Sequence, residues 1–454
     1  MKFTLAWLKD HLETDASLDA IVTALTDLGL EVEHVDDPAA RLAAFSVGHV
    51  VAVAPHPNAD KLKLCTVETG QGRAQVVCGA PNAAAGMKAV YAAQGTYIPG
   101  SDFTLKAAKI RGVESRGMLC SAAELMISDD HDGIIELPAD AAVGSPAAAA
   151  LGLDDPVIDI AITPNRQDCL GVDGIARDLA AKGLGRLKTP AAQPVPGHLQ
   201  SPIGIKLDFD ASTAEACPVF AGRLIRGVQN RASPAWLQAR LRAIGLRPIS
   251  ALVDITNYIN IDRGRPLHVY DAAALTGDIG ARLARPGEKL LALDGREYSL
   301  DPEMCVIADD ASVLALGGIM GGEASGATAQ TRDVFLESAY FDPARTARTG
   351  RKLGIVSDAR YRFERGVDPA FVVAGMELAT AMIVELCGGT PSDAIVAGAE
   401  PVTRREIQFR PNRVQALTGM AVDASAQQAI LEKLGFAVTK TDQTFLVAVP
   451  SWRR

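Results

Sequence analysis

The chain has 454 residues, 48% of them hydrophobic and 22% charged, with a formal net charge of -9. That length predicts three or more domains rather than one core, and the acidic balance excludes a protein that coats nucleic acid non-specifically, because such binding rests on phosphate neutralisation. Seven cysteines without a Cys-x-x-Cys spacing argue for reduced thiols and against a zinc site; acidic residues follow Met1 too soon for a signal peptide and no apolar run reads as a membrane span, so the cytoplasm is the expected compartment and no membrane the expectation.

The first predicted element is an amphipathic helix over 17–28, with Ser17 as N-cap, Leu18, Ile21, Val22, Leu25 and Leu28 at helical spacing, and Gly29 as its stop. From Phe45 to Ile135 short alternating runs take over, at 45–53, 62–68, 74–78, 89–92 and 103–110, divided by Gly, Pro and Asn turns. Five such strands predict a small barrel of oligonucleotide-binding (OB) type. Basic and acidic residues nearly balance across it; Lys61, Lys63, Lys109, Arg111 and Arg116 are its candidate nucleic-acid contacts, the alternative being a solvated barrel used for scaffolding. After it, Asp159 to Gly171 reads as a strand and turn entering a helix over 174–182. Asn165, Arg166 and Asp168 there are explained more cheaply by turn chemistry and capping than by binding. Prolines at 190, 194, 196 and 202 mark a linker.

Strands are then predicted near 203–208 and 219–228, and a helix over 234–244 with Ser233 capping it, Pro234 at its first position and Gly245 ending it. Val253-Asp254-Ile255-Thr256-Asn257-Tyr258 reads as a strand or helix end that runs into a turn, Arg265-Pro266-Leu267-His268-Val269-Tyr270-Asp271, bringing Thr, Asn and His together. The segment Leu316-Gly317-Gly318-Ile319-Met320-Gly321-Gly322-Glu323 leaves backbone bare, as a closely approaching ligand requires. An apolar strand ending in an acid, Val334-Phe335-Leu336-Glu337, separates it from Val356-Ser357-Asp358-Ala359-Arg360-Tyr361-Arg362-Phe363-Glu364-Arg365-Gly366-Val367-Asp368. Basic residues crowd between Arg345 and Arg365, as either a nucleic-acid guide or an internal salt-bridge network. A helix over 370–386 closes at Gly388 and Gly389, and two short helices, 411–417 and 425–434, precede a strand over 437–449.

Those motifs, with Pro55-His56-Pro57-Asn58-Ala59-Asp60-Lys61-Leu62 and Ile110-Arg111-Gly112-Val113-Glu114-Ser115-Arg116-Gly117-Met118-Leu119-Cys120-Ser121, resemble the beta subunit of bacterial phenylalanine–tRNA ligase, amino-terminal portion, over essentially the whole chain. The resemblance implies an α+β multi-domain fold: an amino-terminal α/β domain (1–39 plus 152–190), an inserted tRNA-binding OB barrel (40–151), a linker (191–202), a mixed α+β editing module (203–395) and an incomplete winged-helix-like nucleic-acid-binding module (400–454). It implies tRNA binding and hydrolytic editing of tyrosine wrongly attached to the phenylalanine tRNA, with aminoacylation on a separate alpha subunit in a heterotetramer of two alpha and two beta chains. A scaffolding subunit with an inactive pocket is the alternative. It implies no cofactor within this chain; ATP and Mg2+ serve the whole synthetase, whose magnesium ligands lie beyond Arg454.

The resemblance also places Thr256, Asn257, His268, Gly321, Glu337 and Ala359 around one pocket; Arg362 and Arg365, from the basic cluster, join the five barrel residues as candidate tRNA contacts. The ester to be cut joins an amino acid to the terminal ribose, so the site must position water and tell tyrosine from phenylalanine by one hydroxyl. A buried acceptor does so by factors on the order of 10⁴ to 10⁵, because phenylalanine leaves it unpaired. Glu337 is the candidate acceptor, Gly321 and Ala359 leave room for the ring, and His268, Thr256 and Asn257 are candidates for orienting water or ribose hydroxyls. Substrate-assisted hydrolysis by a ribose hydroxyl is equally compatible. Without the resemblance, Glu337 reads as a partner for an arginine of 345–365 and His268 as a structural imidazole.

Overall fold

The computed structural model describes residues 1–401, 405–442 and 444–453. It divides into two units, Val35–Ile158 and Met1–His34 with Asp159–Arg454. The region 400–454 includes residues 402–404, 443 and 454, which lie outside the described residues.

In the smaller unit the strands run in the order Gly117–Leu119, Lys88–Ala93, Phe45–His56, Ala59–Thr69, Gly72–Cys78, and Glu136–Leu137 also pairs with Lys88–Ala93. The two ends of this sheet meet: the Arg116 N–H donates to the Gln75 carbonyl at 2.8 Å and the Val77 N–H to Ser115 Oγ at 3.1 Å. The strand expected over 103–110 is instead broken. Phe103–Thr104 pairs with Tyr97–Ile98, and Ala108–Ile110 turns at Arg111 and Gly112 into Val113–Ser115. Both turn residues have positive φ, 47° and 90°, as a two-residue hairpin loop with the sheet's twist demands.

The larger unit is built around strand Val219–Arg226, buried on both faces. Its sheet is antiparallel, in the order His268–Asp271, Asp333–Tyr340, Val219–Arg226, with Thr390–Pro391 and Ile395–Gly398 sharing the far edge. Period-two alternation sorts its side chains. Val219, Ala221, Ile225, Val334, Leu336 and Val269 face helices Ala251–Arg263 and Val372–Cys387, meeting Leu252, Ile255, Ile259, Met376, Ala379 and Ile383. Phe220, Leu224, Tyr270, Phe335 and Ala339 face the other way. They meet a second sheet, Ile205–Asp208, Ile279–Leu283, Cys305–Ala308, Val313–Leu316, Met320–Gly321, whose first pairing is parallel.

Several expectations need correction. Of the strand and helix-end readings of 253–258 the helix holds, but Thr256 and Asn257 sit mid-helix in Ala251–Arg263 rather than at its end, because Leu252, Ile255 and Ile259 form a helical stripe that packs on the sheet. Ser233 does not cap the following helix; Pro234 is the cap residue and Ser233 donates to Asp254 Oδ2 at 2.5 Å. The stretch 437–449 is a hairpin, Ala437–Lys440 with Phe445–Ala448, and Glu406–Phe409 pairs with its second strand. Finally, Pro369–Cys387 is a 19-residue helical stretch of mean hydropathy 1.8, long and apolar enough for a membrane span by composition, where no such run was expected. Its apolar side lies in the core described above.

The turn at 163–171 carries more than capping. Arg166 pairs with Asp168 and Asp178, and Asp168 is also reached by Arg177 at 2.8 Å and by Arg453 at 3.4 Å. Cys169 completes a trio of potential metal donors with the two aspartates, but three guanidiniums already neutralise those carboxylates, so the set does not suit Mg2+, a hard cation that wants free oxygen ligands.

Candidate functional site

Between the two sheets of the larger unit lies a cavity of about 280 Å³, at the lower edge of the range for small-ligand pockets, roughly 300–1,000 Å³. Its walls are mostly apolar, including Leu293, Ile307, Leu316, Phe341 and Phe363, and its polar groups are His268, Tyr270 and Glu337. Glu337 lies mid-strand in Asp333–Tyr340, in phase with Phe335 and Ala339, so the pleat turns its carboxylate towards the second sheet. His268 is its direct cross-strand partner, and Tyr270, two residues along, points to the same side.

The polar contacts are few. Tyr270 Oη donates to Glu337 Oε2 at 2.6 Å, and its ring stands edge-on to His268 with centroids 4.4 Å apart. Burial pushes the Glu337 carboxyl up to about 7, against a lowering by the Tyr270 hydrogen bond. Burial pushes His268 down to about 4, so near neutrality it is an uncharged imidazole. Among the described residues His268 Nε2 has no hydrogen-bond partner, an unusual state for a buried ring nitrogen and one that a ligand or water in the cavity would relieve.

The glycine-rich segment serves two purposes. A Cβ at Gly321 would stand 2.5 Å from His268 Cε1, so this glycine makes room for the imidazole rather than directly for a ligand ring. At Gly318, where φ is +69°, a Cβ would meet Phe341 and Phe363 at 2.9 and 3.1 Å; the bare backbone lets the chain's own aromatics close in. Ser357 Oγ donates to the Ile319 carbonyl at 2.7 Å and accepts from the Arg360 N–H at 3.1 Å. It thereby fastens the start of helix Asp358–Phe363 to the glycine turn, and Ala359 falls on the cavity wall.

Four expected site residues thus meet: His268, Gly321, Glu337 and Ala359 line one cavity. Thr256 and Asn257 are not among its lining residues, and Thr256 Oγ1 donates back to the Val253 carbonyl at 2.8 Å within its own helix. The sequence reading missed Tyr270, which period two makes a same-face neighbour of His268. Three of the arginines proposed as partners for Glu337 are engaged elsewhere: Arg360 with Glu364, Arg365 with Glu364 and the face of Tyr361, Arg345 with the Glu303 carbonyl.

Arg362 is 2% exposed, and its guanidinium donates to the Leu170 carbonyl at 3.0 and 3.2 Å and to Asp358 Oδ1 at 3.3 Å. As a tRNA contact it is ruled out, because RNA cannot reach it. In the smaller unit Lys61, Lys109, Arg111 and Arg116 are exposed, Arg111 at the hairpin tip and Arg116 beside Glu114. Lys63 is spent on structure: its Nζ donates to the Pro81 and Ala83 carbonyls at 2.7 and 2.8 Å. A broad cavity of about 1020 Å³ opens beside this hairpin, with Phe103, Leu105, Lys106 and Ile110 among its walls.

Three family models match the chain: "Putative tRNA binding domain" at residues 45–146, "B3/4 domain" at 216–388 and "tRNA synthetase B5 domain" at 407–454. The phenylalanine–tRNA ligase beta subunit of Paramagnetospirillum magneticum is 58% identical over 453 residues, covering 100% of this chain and 57% of that protein. The beta subunit of Rhodopseudomonas palustris is 57% identical over 455 residues, covering 100% and 56%. A solved amino-terminal fragment of the phenylalanyl-tRNA synthetase beta subunit from Pyrococcus horikoshii is 15% identical with a TM-score of 0.33, over 66% of this chain and 83% of that one, too distant to bear on the fold. The chain spans little more than half the length of the curated relatives it matches, and over the whole of its own length it is similar to phenylalanine–tRNA ligase beta subunits.

Proposed function

We propose that the chain binds the phenylalanine tRNA and hydrolyses tyrosine mistakenly esterified to it, as part of a cytoplasmic ligase whose alpha subunit carries aminoacylation. One observation carries this reading: a buried carboxylate, Glu337, already accepts a phenolic hydroxyl at 2.6 Å inside an apolar cavity of side-chain size. A tyrosine ring entering beside it gains an acceptor for its hydroxyl. A phenylalanine ring leaves the second oxygen of that carboxylate desolvated and unpaired, which penalises it by a factor on the order of 10⁴ to 10⁵. Neutral His268, with Nε2 unpartnered, is the group available to hold water or a ribose hydroxyl. Thr256 and Asn257 have no part in this version of the site. Attack by water assisted by a ribose hydroxyl of the substrate fits the same groups.

In this reading residues 40–151 are an OB barrel that binds tRNA through Lys61, Lys109, Arg111 and Arg116, supported by the strand closure and the exposure of those side chains. Residues 203–395 are the editing module, 1–39 with 152–190 an amino-terminal α/β domain, and 400–454 part of a winged-helix-like module. ATP and Mg2+ serve the whole synthetase, a heterotetramer of two alpha and two beta chains with aminoacylation on the alpha subunit. The test is tyrosine release from mischarged phenylalanine tRNA by the folded chain. Acceleration over buffer is expected; tRNA binding without acceleration would instead support a scaffold with an inactive pocket.

A further inference from the structure

Tyr270 lies next to the proposed acceptor yet is not a group that a bound substrate could displace. It is 0% exposed, its ring belongs to the core between the two sheets, and its hydroxyl meets Glu337 Oε2 at 2.6 Å. Strand pairing fixes the geometry from both sides. His268 is opposite Glu337 and Tyr270 opposite Phe335, so Tyr270 reaches the carboxylate along the diagonal, and no rotation of the backbone is free to change that.

A glutamate side chain has three rotatable bonds, and an unanchored carboxylate would present either oxygen, or neither, to an incoming phenol. Here one oxygen is tied. Among the described residues Tyr270 makes the single side-chain hydrogen bond to Glu337. We propose that Tyr270 is the positioning residue for tyrosine selection: by holding Oε2 it aims Oε1 into the cavity as the acceptor for the substrate's hydroxyl. This rests on the editing reading above.

The surroundings bear on how the arrangement responds to pH. The titratable groups near Glu337 are Tyr270 and His268 from the neighbouring strand and, in the core between the sheets, Cys217 and Cys305; burial favours the neutral form of each. With no cation among them, the Tyr270 hydroxyl is the group that favours the ionised, accepting form of the carboxylate. Removing that hydroxyl therefore both frees the carboxylate and raises the pH at which it ionises.

The experiment compares wild type, Tyr270→Phe and Glu337→Ala in single-turnover deacylation of tyrosyl- and phenylalanyl-tRNA for phenylalanine, from pH 6 to 9. Tyr270→Phe keeps the ring, and its thermal midpoint checks folding. The expected result is a tyrosine-over-phenylalanine ratio lowered roughly ten- to a hundredfold, as for one lost hydrogen bond to a charged group, with the midpoint of its pH dependence moved up. A ratio and midpoint equal to wild type, or equal slowing on both substrates, would overturn the positioning role. If Glu337→Ala leaves the ratio intact, the editing reading itself fails; if Glu337→Ala abolishes it while Tyr270→Phe does not, only Tyr270's role falls. Should Tyr270→Phe not fold, the Tyr270→Trp and Glu337→Gln variants carry the same comparison. Glu337→Gln keeps a partner for Tyr270 and is expected to retain more selectivity than Glu337→Ala; equal loss in both would contradict an anchored acceptor.

Discussion

Two facing side chains of the cavity are pushed by burial in opposite directions, and each makes stability depend on pH with its own sign. Glu337 has a folded value of about 7 against an ordinary 4.5. Its contribution is therefore present below pH 4.5 and lost as pH rises through 7. His268 has a folded value of about 4 against 6.5, so its contribution is present above pH 6.5 and lost as pH falls towards 4. Urea unfolding should show Glu337→Gln gaining on wild type as pH climbs from 5 to 8, and His268→Gln gaining as pH falls from 7 to 4. Each gain should approach roughly 3 kcal/mol, at about 1.36 kcal/mol for each tenfold change in proton affinity. Parallel pH profiles for both variants and wild type would mean that neither group is held as described. At Gly321 the constraint is steric: alanine puts a methyl 2.5 Å from His268 Cε1. Gly321→Ala should cost about 1–3 kcal/mol by overpacking and slow tyrosine release on the order of a hundredfold by moving the imidazole, read out by calorimetry and single-turnover assay together.

At the scale of elements, the helix carrying Arg362 shows how a basic cluster divides into structural and available charge. Arg362→Ala strips the Leu170 carbonyl of its donors and should destabilise the chain by roughly 3 kcal/mol, while the salt dependence of tRNA binding stays as in wild type. Arg111→Ala, at an exposed hairpin tip, should leave stability within about 0.5 kcal/mol and reduce the slope of log affinity against log salt by about 0.7–0.9. Filter binding across a salt series separates the two. The arginine's fate was illegible in the sequence because its partner lies 192 residues away. Thr256 and Asn257 were misread for a different reason. Val253, Ile255, Thr256 and Tyr258 have strand-like composition, and the deciding signal, the i, i+3, i+7 stripe of Leu252, Ile255 and Ile259, is apparent only once that face has a sheet to pack on. The strand expected to end at Glu337 runs on to Tyr340; period two applied along it would have put Phe335, Glu337 and Ala339 on one face, and applied to His268 would have delivered Tyr270.

Over the whole molecule, a chain with a net charge of -9 has to confine any RNA contact to a few exposed cations, and in the smaller unit Lys61, Lys109, Arg111 and Arg116 are exposed. The larger unit contributes shape and a carboxylate. Long motifs made the order of modules readable from one end of the sequence to the other, whereas the cavity depends on segments near 268, 321, 337 and 359 converging between two sheets, which no local pattern encodes. The central claim is that the Glu337 carboxylate reads the phenolic hydroxyl. Its most direct test is the ratio of deacylation rates on tyrosyl- and phenylalanyl-tRNA for phenylalanine, measured for wild type and Glu337→Ala: the ratio should fall by two orders of magnitude or more of the roughly 10⁴ to 10⁵ available, and an unchanged ratio in the folded variant would contradict it.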